Sequence, residues 1–366
     1  MIQVRETPHP GTYIGKGKID EVNALLYGTD ATGIVCDDEL SPAQISNLEE
    51  ALDTKVMDRT LIILDIFAKR AFTREGKIQV ELAQLKYRAS KLTGQGRALS
   101  RLGGGIGTRG PGEKKLEMDR RLIRTRISRL KAELRDVVKH REVQRKQRQK
   151  NHLPVVCIVG YTNAGKSTLL NHFTNAGVYE EDQLFATLDP TTKSLDLSGG
   201  QTILMTDTVG FIRKLPHHLV EAFKSTLEEA KYSDLILHVV DASNPQKEKQ
   251  MEAVYDTLKQ LGANESLIIT AFNKIDLLNG DEILKDPNAE AVVRISGKNG
   301  EGTDQLLEQI EKILQKQKLY LEKLYGYQEA GKIQLIRSHG QLLKEEYRDD
   351  GIYVEAYIPK EILGSI

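Results

Sequence analysis

The sequence of 366 residues contains no tryptophan and only two cysteines, Cys36 and Cys157. Both cysteines lie within apolar runs, as small core residues of a protein from a reducing compartment do. No Cys/His cluster has the spacing of a structural metal site, and no apolar run approaches the roughly 20 residues of a membrane-spanning helix. The first residues also lack the apolar core of a signal peptide. We therefore expect a cytoplasmic protein without membrane insertion.

Net charge is absent as well, because 52 Lys and Arg balance 52 Asp and Glu. The charges are distributed unevenly along the chain. Residues 86–150 hold 21 basic and 6 acidic side chains, and the rest of the chain holds 31 basic and 46 acidic ones. A block with a net charge of +15 favours a polyanionic partner such as RNA. The alternative is a charged helical face exposed to solvent. The length of the chain indicates two or three domains.

The N-terminal residues 1–73 alternate helical and strand patterns, which is typical of a small α/β domain. Helices are predicted at 19–26 and 60–71, and buried strands at 33–36 and 55–57. Ser41 followed by Pro42 predicts the cap and the first position of a further helix that ends near Leu52.

Residues 74–152 are predicted to form a basic helical hairpin. Apolar side chains recur at alternating steps of four and three in 78–92 and again in 116–137, the pattern of two helices packed along a coiled-coil seam. The connection, 94–112, holds 8 glycines in 19 positions. Such a loop can bring backbone and guanidinium groups close to RNA phosphates; the alternative is a flexible linker. The candidate RNA contacts are Arg97, Arg101, Arg109, Arg120, Arg121 and Arg124.

A phosphate-binding loop follows the hairpin. Residues 155–159 predict a buried parallel strand, and residues 167–173 predict a helix. Residues 160–167, which connect the two, have the G-x-x-x-x-G-K-S spacing. In this context backbone N–H groups surround the phosphates, Lys166 reaches the β- and γ-phosphates, and the Ser167 hydroxyl binds Mg²⁺. The predicted contacts are Gly160, Tyr161, Thr162, Asn163, Ala164, Gly165, Lys166, Ser167 and Thr168.

A second motif begins at Asp207, directly after the apolar residues 202–206. In a D-x-x-G element the carboxylate holds Mg²⁺ and the N–H of the glycine, here Gly210, senses the γ-phosphate. Phe211 follows where many GTPases place a glutamine that orients the attacking water. Phenylalanine cannot do this, so we expect slow hydrolysis that a partner or an ion stimulates. Asn163 either helps K⁺ to bind near the phosphates or only stabilises the loop.

A third motif, Asn273, Lys274 and Asp276, follows the apolar run 267–272. An aspartate there accepts the hydrogen bonds that guanine offers and adenine does not, and a site built this way rejects the wrong base strongly. The backbone N–H of a neighbouring loop contacts guanine O6 in such sites. Its predicted residues are Ser296, Gly297 and Lys298. Three motifs in this order predict a GTPase; its switch threonine is Thr187, Thr191 or Thr192.

The chain resembles the bacterial HflX-type GTPases of the Obg/HflX group. The resemblance rests on residues 13–18, on the glycine-rich 103–113, on the phosphate loop, on 185–191 and on 207–212. It implies that Thr187 is the switch residue that contacts Mg²⁺ and that an apolar residue at the Phe211 position is a family trait. The implied switch I is Phe185, Ala186, Thr187 and Leu188, and the implied switch II is Asp207, Thr208, Val209, Gly210 and Phe211.

The resemblance also implies a function: binding to the large ribosomal subunit and its RNA, with GTP used to split or rescue stalled or idle ribosomes. A GTP-gated RNA-binding factor in large-subunit assembly is the alternative. We expect a monomer that binds GTP and GDP with Mg²⁺, and K⁺ as a further candidate ion. The predicted class is α/β, with an N-terminal α/β domain (1–73), the hairpin (74–152), a Ras-like G domain with a mostly parallel sheet (153–317) and a small C-terminal α+β piece (318–366).

Overall fold

The structure of the chain is a computed structural model. It describes residues 7–99, 111–150, 153–174, 190–198, 201–213, 229–263, 266–278, 280 and 282–366. The described residues fall into two compact units, the first up to Val137 and the second from Val138 onward. Within the described ranges, every helix is too short or too polar to span a bilayer.

The first unit begins with a two-stranded parallel sheet flanked by helices. Ser41 forms a capping box: its hydroxyl accepts the N–H of Gln44 at 3.2 Å, and the Gln44 side chain accepts the Ser41 N–H. The predicted cap and the predicted strand at 33–36 are thereby confirmed. The elements are α1 (Lys16–Thr29), β1 (Gly33–Cys36), α2 (Pro42–Leu52), β2 (Lys55–Asp58) and α3 (Arg59–Arg70).

Two long helices follow, α4 (Arg74–Leu99) and α5 (Pro111–Lys150). Arg126 forms an ion pair with Glu81 at 2.7 Å, and Arg120 donates to the Leu92 carbonyl at 2.9 Å, so the pairing runs antiparallel as predicted. The apolar stripes of the two helices pack together. The members of this cluster are Ile78, Leu82, Leu85, Ile127, Leu130 and Leu134.

The connection between these helices is shorter than predicted. Residues 94–99 belong to α4, and 111–112 belong to α5. The good helix formers around Gly94 and Gly96 extend α4 past both glycines, although each costs about 1 kcal/mol relative to alanine. The remaining connection, 100–110, lies outside the described residues.

The second unit contains a six-stranded sheet of order β4-β5-β3-β6-β7-β8. Adjacent strands pair in parallel except β4 and β5, which pair antiparallel. Aliphatic side chains of the central strands form one buried core with α6 and α8. The elements are β3 (Val155–Gly160), α6 (Lys166–Thr174), β4 (Thr191–Asp196), β5 (Thr202–Asp207), β6 (Leu235–Asp241), α7 (Lys247–Leu261), β7 (Ile268–Asn273), β8 (Ala291–Arg294) and α8 (Thr303–Lys316).

A three-stranded antiparallel sheet of order β10-β11-β9 ends the chain, with α9 against one face. Arg348 pairs with Gly351, so Asp349 and Asp350 form the predicted turn before the last strand. The elements are β9 (Leu319–Tyr325), α9 (Ala330–His339), β10 (Gln341–Arg348) and β11 (Gly351–Ile358). The predicted fold class is confirmed: an α/β protein with an N-terminal helical region, a mostly parallel central sheet and a small C-terminal antiparallel sheet.

Candidate functional site

The carboxyl ends of β3 and β5 bring the phosphate loop to Asp207. The Ser167 hydroxyl donates to Asp207 Oδ2 at 2.7 Å, and Asp207 is fully buried. The next residue, Thr208, donates from its hydroxyl to the Ile158 carbonyl at 2.7 Å. Parallel pairing of β3 with β5 fixes this meeting, because it aligns Ile158 with Asp207. Two residues that lie 40 positions apart thus share one hydrogen bond.

Lys166 lies within the phosphate loop with its ammonium group directed at the loop backbone. Its Nζ donates to the Tyr161 carbonyl at 3.0 Å, and the side chain is buried. Burial lowers the pKa of Lys166 to about 8, although the nearby Asp207 carboxylate acts in the opposite direction. An anion bound beside this ammonium would favour its charged form and raise the pKa again.

The last residue of the predicted switch II, Phe211, is tied to the phosphate loop through its backbone. The Phe211 N–H donates to the Gly160 carbonyl at 3.0 Å, and the Thr162 N–H donates to the Phe211 carbonyl at 2.9 Å. A Cβ on Gly210 would lie 2.8 Å from Thr162 Cγ2, so only glycine fits there. The Phe211 ring is buried, with 2% of its surface exposed, and therefore fills the interior.

Asn273, at the end of β7, joins the phosphate loop to the 296–298 loop. Its Nδ2 donates to the Ala164 carbonyl at 2.9 Å, and its Oδ1 accepts the Gly297 N–H at 2.8 Å. Gly165 has a φ of +93°, and a Cβ there would lie 2.2 Å from Asn273 Nδ2. The Gly297 N–H, predicted to contact guanine O6, thus bonds to Asn273 in this structure. Sequence reasoning missed this because motif spacing does not reveal which acceptor lies closest.

Asp276 and Lys274 are each held by a second side chain. The Ser296 hydroxyl donates to Asp276 Oδ1 at 2.6 Å, and Lys274 forms an ion pair with Asp241 at 2.8 Å. Lys274 has a φ of +64°, a left-handed conformation that few non-glycine residues adopt. Asp241 also accepts the Ser243 hydroxyl at 2.6 Å. Asp241 was not predicted; its signal is a carboxylate directly after the buried run 235–240, at the ligand-binding edge of a parallel sheet.

The remaining switch threonine candidates and the candidate RNA-contact arginines lie away from these contacts or outside the described residues. Thr191 and Thr192 begin β4, where the Thr192 hydroxyl bonds to that of Thr206 at 2.9 Å. The predicted switch I (185–188, with Thr187), together with Arg101 and Arg109, lies outside the described residues, and the Arg97 side chain is not described either. Arg120 is half-buried on α5, whereas Arg121 and Arg124 are exposed there.

The oxygen atoms near the loop fit a magnesium ion. Mg²⁺ takes octahedral ligands at about 2.1 Å, so neighbouring ligand atoms lie about 3 Å apart. Ser167 Oγ and Asp207 Oδ2, 2.7 Å apart, match that spacing. Both are hard oxygen donors of the kind that Mg²⁺ prefers, and they lie beside the loop that would carry the phosphates.

Three family models match successive parts of the chain. They are described as GTP-binding GTPase N-terminal (residues 1–68), GTP-binding GTPase Middle Region (70–148) and 50S ribosome-binding GTPase (155–274). Among solved structures, a GTP-binding protein from Sulfolobus solfataricus in complex with GDP is 25% identical. The alignment covers 84% of this chain and 88% of that one, with a TM-score of 0.46.

Curated relatives are much more similar. A protein named GTPase HflX from Lacrimispora saccharolytica is 68% identical over the whole of this chain and 86% of its own length. Its namesake from Caldanaerobacter subterraneus is 53% identical over 99% of this chain and 84% of that protein. The GTPase HflX from Escherichia coli is 48% identical over 83% of this chain and 72% of its own length. The chain therefore belongs to the HflX family of GTPases, enzymes that hydrolyse GTP.

Proposed function

We propose that this GTPase binds the large ribosomal subunit as a monomer in the cytoplasm and uses GTP binding and hydrolysis to split or rescue stalled or idle ribosomes. Family membership supports a ribosome-associated GTPase in general. The observation that carries the finer proposal is the hairpin. Its helices bury their apolar stripes against each other, which leaves Arg121 and Arg124 of the +15 block exposed to a polyanion.

In this proposal the phosphate loop, 160–168, wraps the phosphates of GTP, and Lys166 contacts the β- and γ-phosphates. Ser167, Asp207 and Thr187 hold Mg²⁺, which neutralises charge on the transferring phosphate. The 2.7 Å hydrogen bond between Ser167 and Asp207 supports a shared ion. The remaining predicted contacts are Gly210, Asn273, Lys274, Asp276, Ser296, Gly297 and Lys298.

Switching in this proposal acts through the contact between Phe211 and the phosphate loop. The γ-phosphate orders 185–188 and 207–211, and its loss relaxes them. Phe211 bonds to Gly160 and Thr162 through its backbone, so any movement of the loop with the nucleotide also moves this segment. The GTP form then binds the subunit, and hydrolysis permits departure.

Hydrolysis is slow without a partner in this proposal, because the buried Phe211 ring cannot orient a water. The large subunit supplies the missing group. K⁺ near Asn163, which has a φ of +63°, is a second aid. Replacing K⁺ by Na⁺ should then slow turnover in the natural chain and change nothing in Asn163→Ala. Equal turnover in both salts would remove K⁺ from the proposal.

The test is GTP turnover with and without purified large subunits at fixed Mg²⁺ and K⁺. We expect at least tenfold stimulation, or about 1.4 kcal/mol off the barrier. Charge reversal at Arg121 and Arg124, and separately at Arg101 and Arg109, should abolish the stimulation and leave basal turnover unchanged. Sedimentation of intact ribosomes should show GTP-dependent dissociation into subunits when the natural chain is added. The charge-reversal variants should cause no such dissociation.

A matched control reverses Lys312 and Lys316, two exposed lysines on α8 of the same unit as the nucleotide site. It changes the net charge equally but lies outside the hairpin. The control reversal could lower the stimulation of GTP turnover as much as the reversal of the hairpin arginines does. In that case net charge alone would explain the stimulation, which would contradict the role of the hairpin. Stimulation without subunit dissociation, together with binding to precursor particles, would favour the assembly factor instead.

A further inference from the structure

The face of the C-terminal sheet opposite α9 carries tyrosine and glutamate side chains instead of a helix. In β9 the alternating pattern buries 319, 321 and 325 toward α9 and turns Tyr320 and Glu322 to the opposite face. In β11 the same alternation turns Glu355 and Tyr357 outward. Strand register sets Tyr320 opposite Tyr357 and Glu322 opposite Glu355. We call these four residues the tyrosine–glutamate patch.

The two carboxylates of the patch are placed against each other. Like charges directly opposite on neighbouring strands destabilise a sheet. Among the described residues, neither Glu322 nor Glu355 forms an ion pair with a lysine or arginine. The nearby cations, Lys344 and Arg348, both pair with Glu346 at 2.7 and 2.8 Å. Lys344 lies directly opposite Glu355 in the strand register, but its ammonium pairs with Glu346. Three carboxylates, of Glu322, Glu346 and Glu355, therefore face two cations, and the face keeps one negative charge in excess.

One tyrosine hydroxyl lies between the carboxylates. Tyr353 OH is 2.7 Å from Glu322 Oε1 and 2.8 Å from Glu355 Oε1. A hydroxyl has one proton, so it donates to only one of these oxygens at a time. The hydrogen bonds to Glu322 and Glu355 raise the pKa of Tyr353, which keeps that proton in place. The site consequently has fewer donors than acceptors and would gain from a cationic donor.

The aromatic rings beside the carboxylates suit the same kind of ligand. Tyr320 and Tyr357 form an edge-to-face pair with centroids 5.5 Å apart, and Tyr320 is 52% exposed. The same sheet face already holds a cation over a ring, since the Arg348 guanidinium lies 3.9 Å from the Tyr353 centroid. A guanidinium can stack on a tyrosine and donate to carboxylates in the same plane.

We propose that the tyrosine–glutamate patch is a docking site for an arginine or lysine side chain presented by a basic protein segment. The cation lies over Tyr320 and Tyr357 and donates to Glu322 and Glu355, which relieves their mutual repulsion. Single-stranded RNA is the disfavoured occupant, because its phosphates would be repelled by these carboxylates. Lys344 and Arg348, the cations nearby, already form ion pairs with Glu346. This inference does not rest on the ribosome as the partner.

The test is calorimetric titration of the full-length, GDP-bound protein at low ionic strength. Two seven-residue peptides are compared, one of alternating glycine and arginine and one with citrulline in place of arginine. The arginine peptide should bind at least tenfold more tightly. The double variant Glu322→Gln, Glu355→Gln should remove this preference, and Tyr320→Leu should weaken arginine-peptide binding severalfold. Glutamine keeps an acceptor for Tyr353, and unchanged basal GTP turnover checks that the variants fold.

A matched control, Asp349→Asn with Glu308→Gln, also removes two exposed carboxylates of the same unit, but outside the patch. It should keep the full preference for arginine. Equal affinity for the two peptides would overturn the proposal, as would an undiminished preference in the Glu322, Glu355 variant. Displacement of the peptide by Ca²⁺ alone would show an ion site instead, and displacement by a uridine oligonucleotide would show an RNA platform.

Discussion

Ser167 and Asp207 hydrogen-bond to each other across 2.7 Å, although one lies in the first turn of a helix and the other ends a strand 40 residues later. The contact exists because β3 and β5 are neighbouring parallel strands whose carboxyl ends lie at one edge of the sheet. It places two oxygen atoms at the separation of neighbouring ligands on one Mg²⁺ ion. The hydrogen bond therefore gives the proposed metal site a geometry that mutation can test.

Replacing Ser167 by alanine should remove the effect of Mg²⁺ on nucleotide retention. In the natural chain Mg²⁺ should slow the release of a fluorescent GDP at least tenfold relative to EDTA, about 1.4 kcal/mol. In Ser167→Ala the two release rates should nearly coincide, because one ligand of the ion is gone. Thr192→Ala is the control, since its hydroxyl bonds to Thr206 between two strands. Normal slowing by Mg²⁺ in Ser167→Ala would exclude this residue as a ligand.

The base specificity should change with Asp276→Asn. An amide in place of the carboxylate cannot accept both N–H groups of guanine, but it can donate to the C2 carbonyl of xanthine. We expect a loss of GTP affinity of at least a hundredfold, about 2.7 kcal/mol, with a gain in affinity for XTP. Ser296→Ala, which removes the 2.6 Å bond that orients Asp276, should weaken GTP binding less and leave the preference for guanine. Retained GTP selectivity in Asp276→Asn would contradict the proposed contact.

Nucleotide affinity should fall as pH rises above about 8. Burial lowers the pKa of Lys166 to about 8, and a bound phosphate raises the pKa again by favouring the ammonium form. Above pH 8 binding must therefore take up a proton, and affinity should fall up to tenfold per pH unit. Calorimetry of GDP binding at pH 9, in two buffers of different ionisation enthalpy, should reveal this uptake. The Lys166→Met variant should bind GDP weakly and take up fewer protons on binding. If its proton uptake equals that of the natural chain, a group other than Lys166 takes up the proton.

Acid should destabilise the fold through His238, which is buried on β6 with Nδ1 4.0 Å from Asp286 Oδ2. Burial lowers its pKa to about 4, against about 6.5 in the unfolded chain. Between these values the unfolded state binds more protons, so stability is lost as pH falls from 6.5 toward 4.

The loss from this one group should be on the order of 2 kcal/mol between pH 7 and pH 5. His238→Phe preserves a ring next to Tyr255, whose centroid lies 5.3 Å from that of His238, and it cannot titrate. Urea unfolding of both proteins at the two pH values isolates the difference. If the variant loses as much stability as the natural chain, His238 is not the group responsible.

Local sequence predicted the elements with clear local causes. The helix cap at Ser41, the strand at 33–36 and the antiparallel hairpin seam all appear in the structure because caps and apolar periodicity act between near neighbours. The end of α4 was predicted too early, since glycine content suggested a loop where neighbouring helix formers prevail. Asp241 was missed because its partner, Lys274, is 33 residues away.

The sequence by itself determined the chemistry of the nucleotide site, because each motif carries its own reactive groups at fixed spacing. Only the tertiary structure decided how these groups are held: Asn273 between Ala164 and Gly297, and Phe211 buried against the loop. The tyrosine–glutamate patch is likewise invisible in the sequence, since its halves lie more than 30 residues apart in β9 and β11. Strand register brings such residues together, and register depends on packing of the whole sheet against its core.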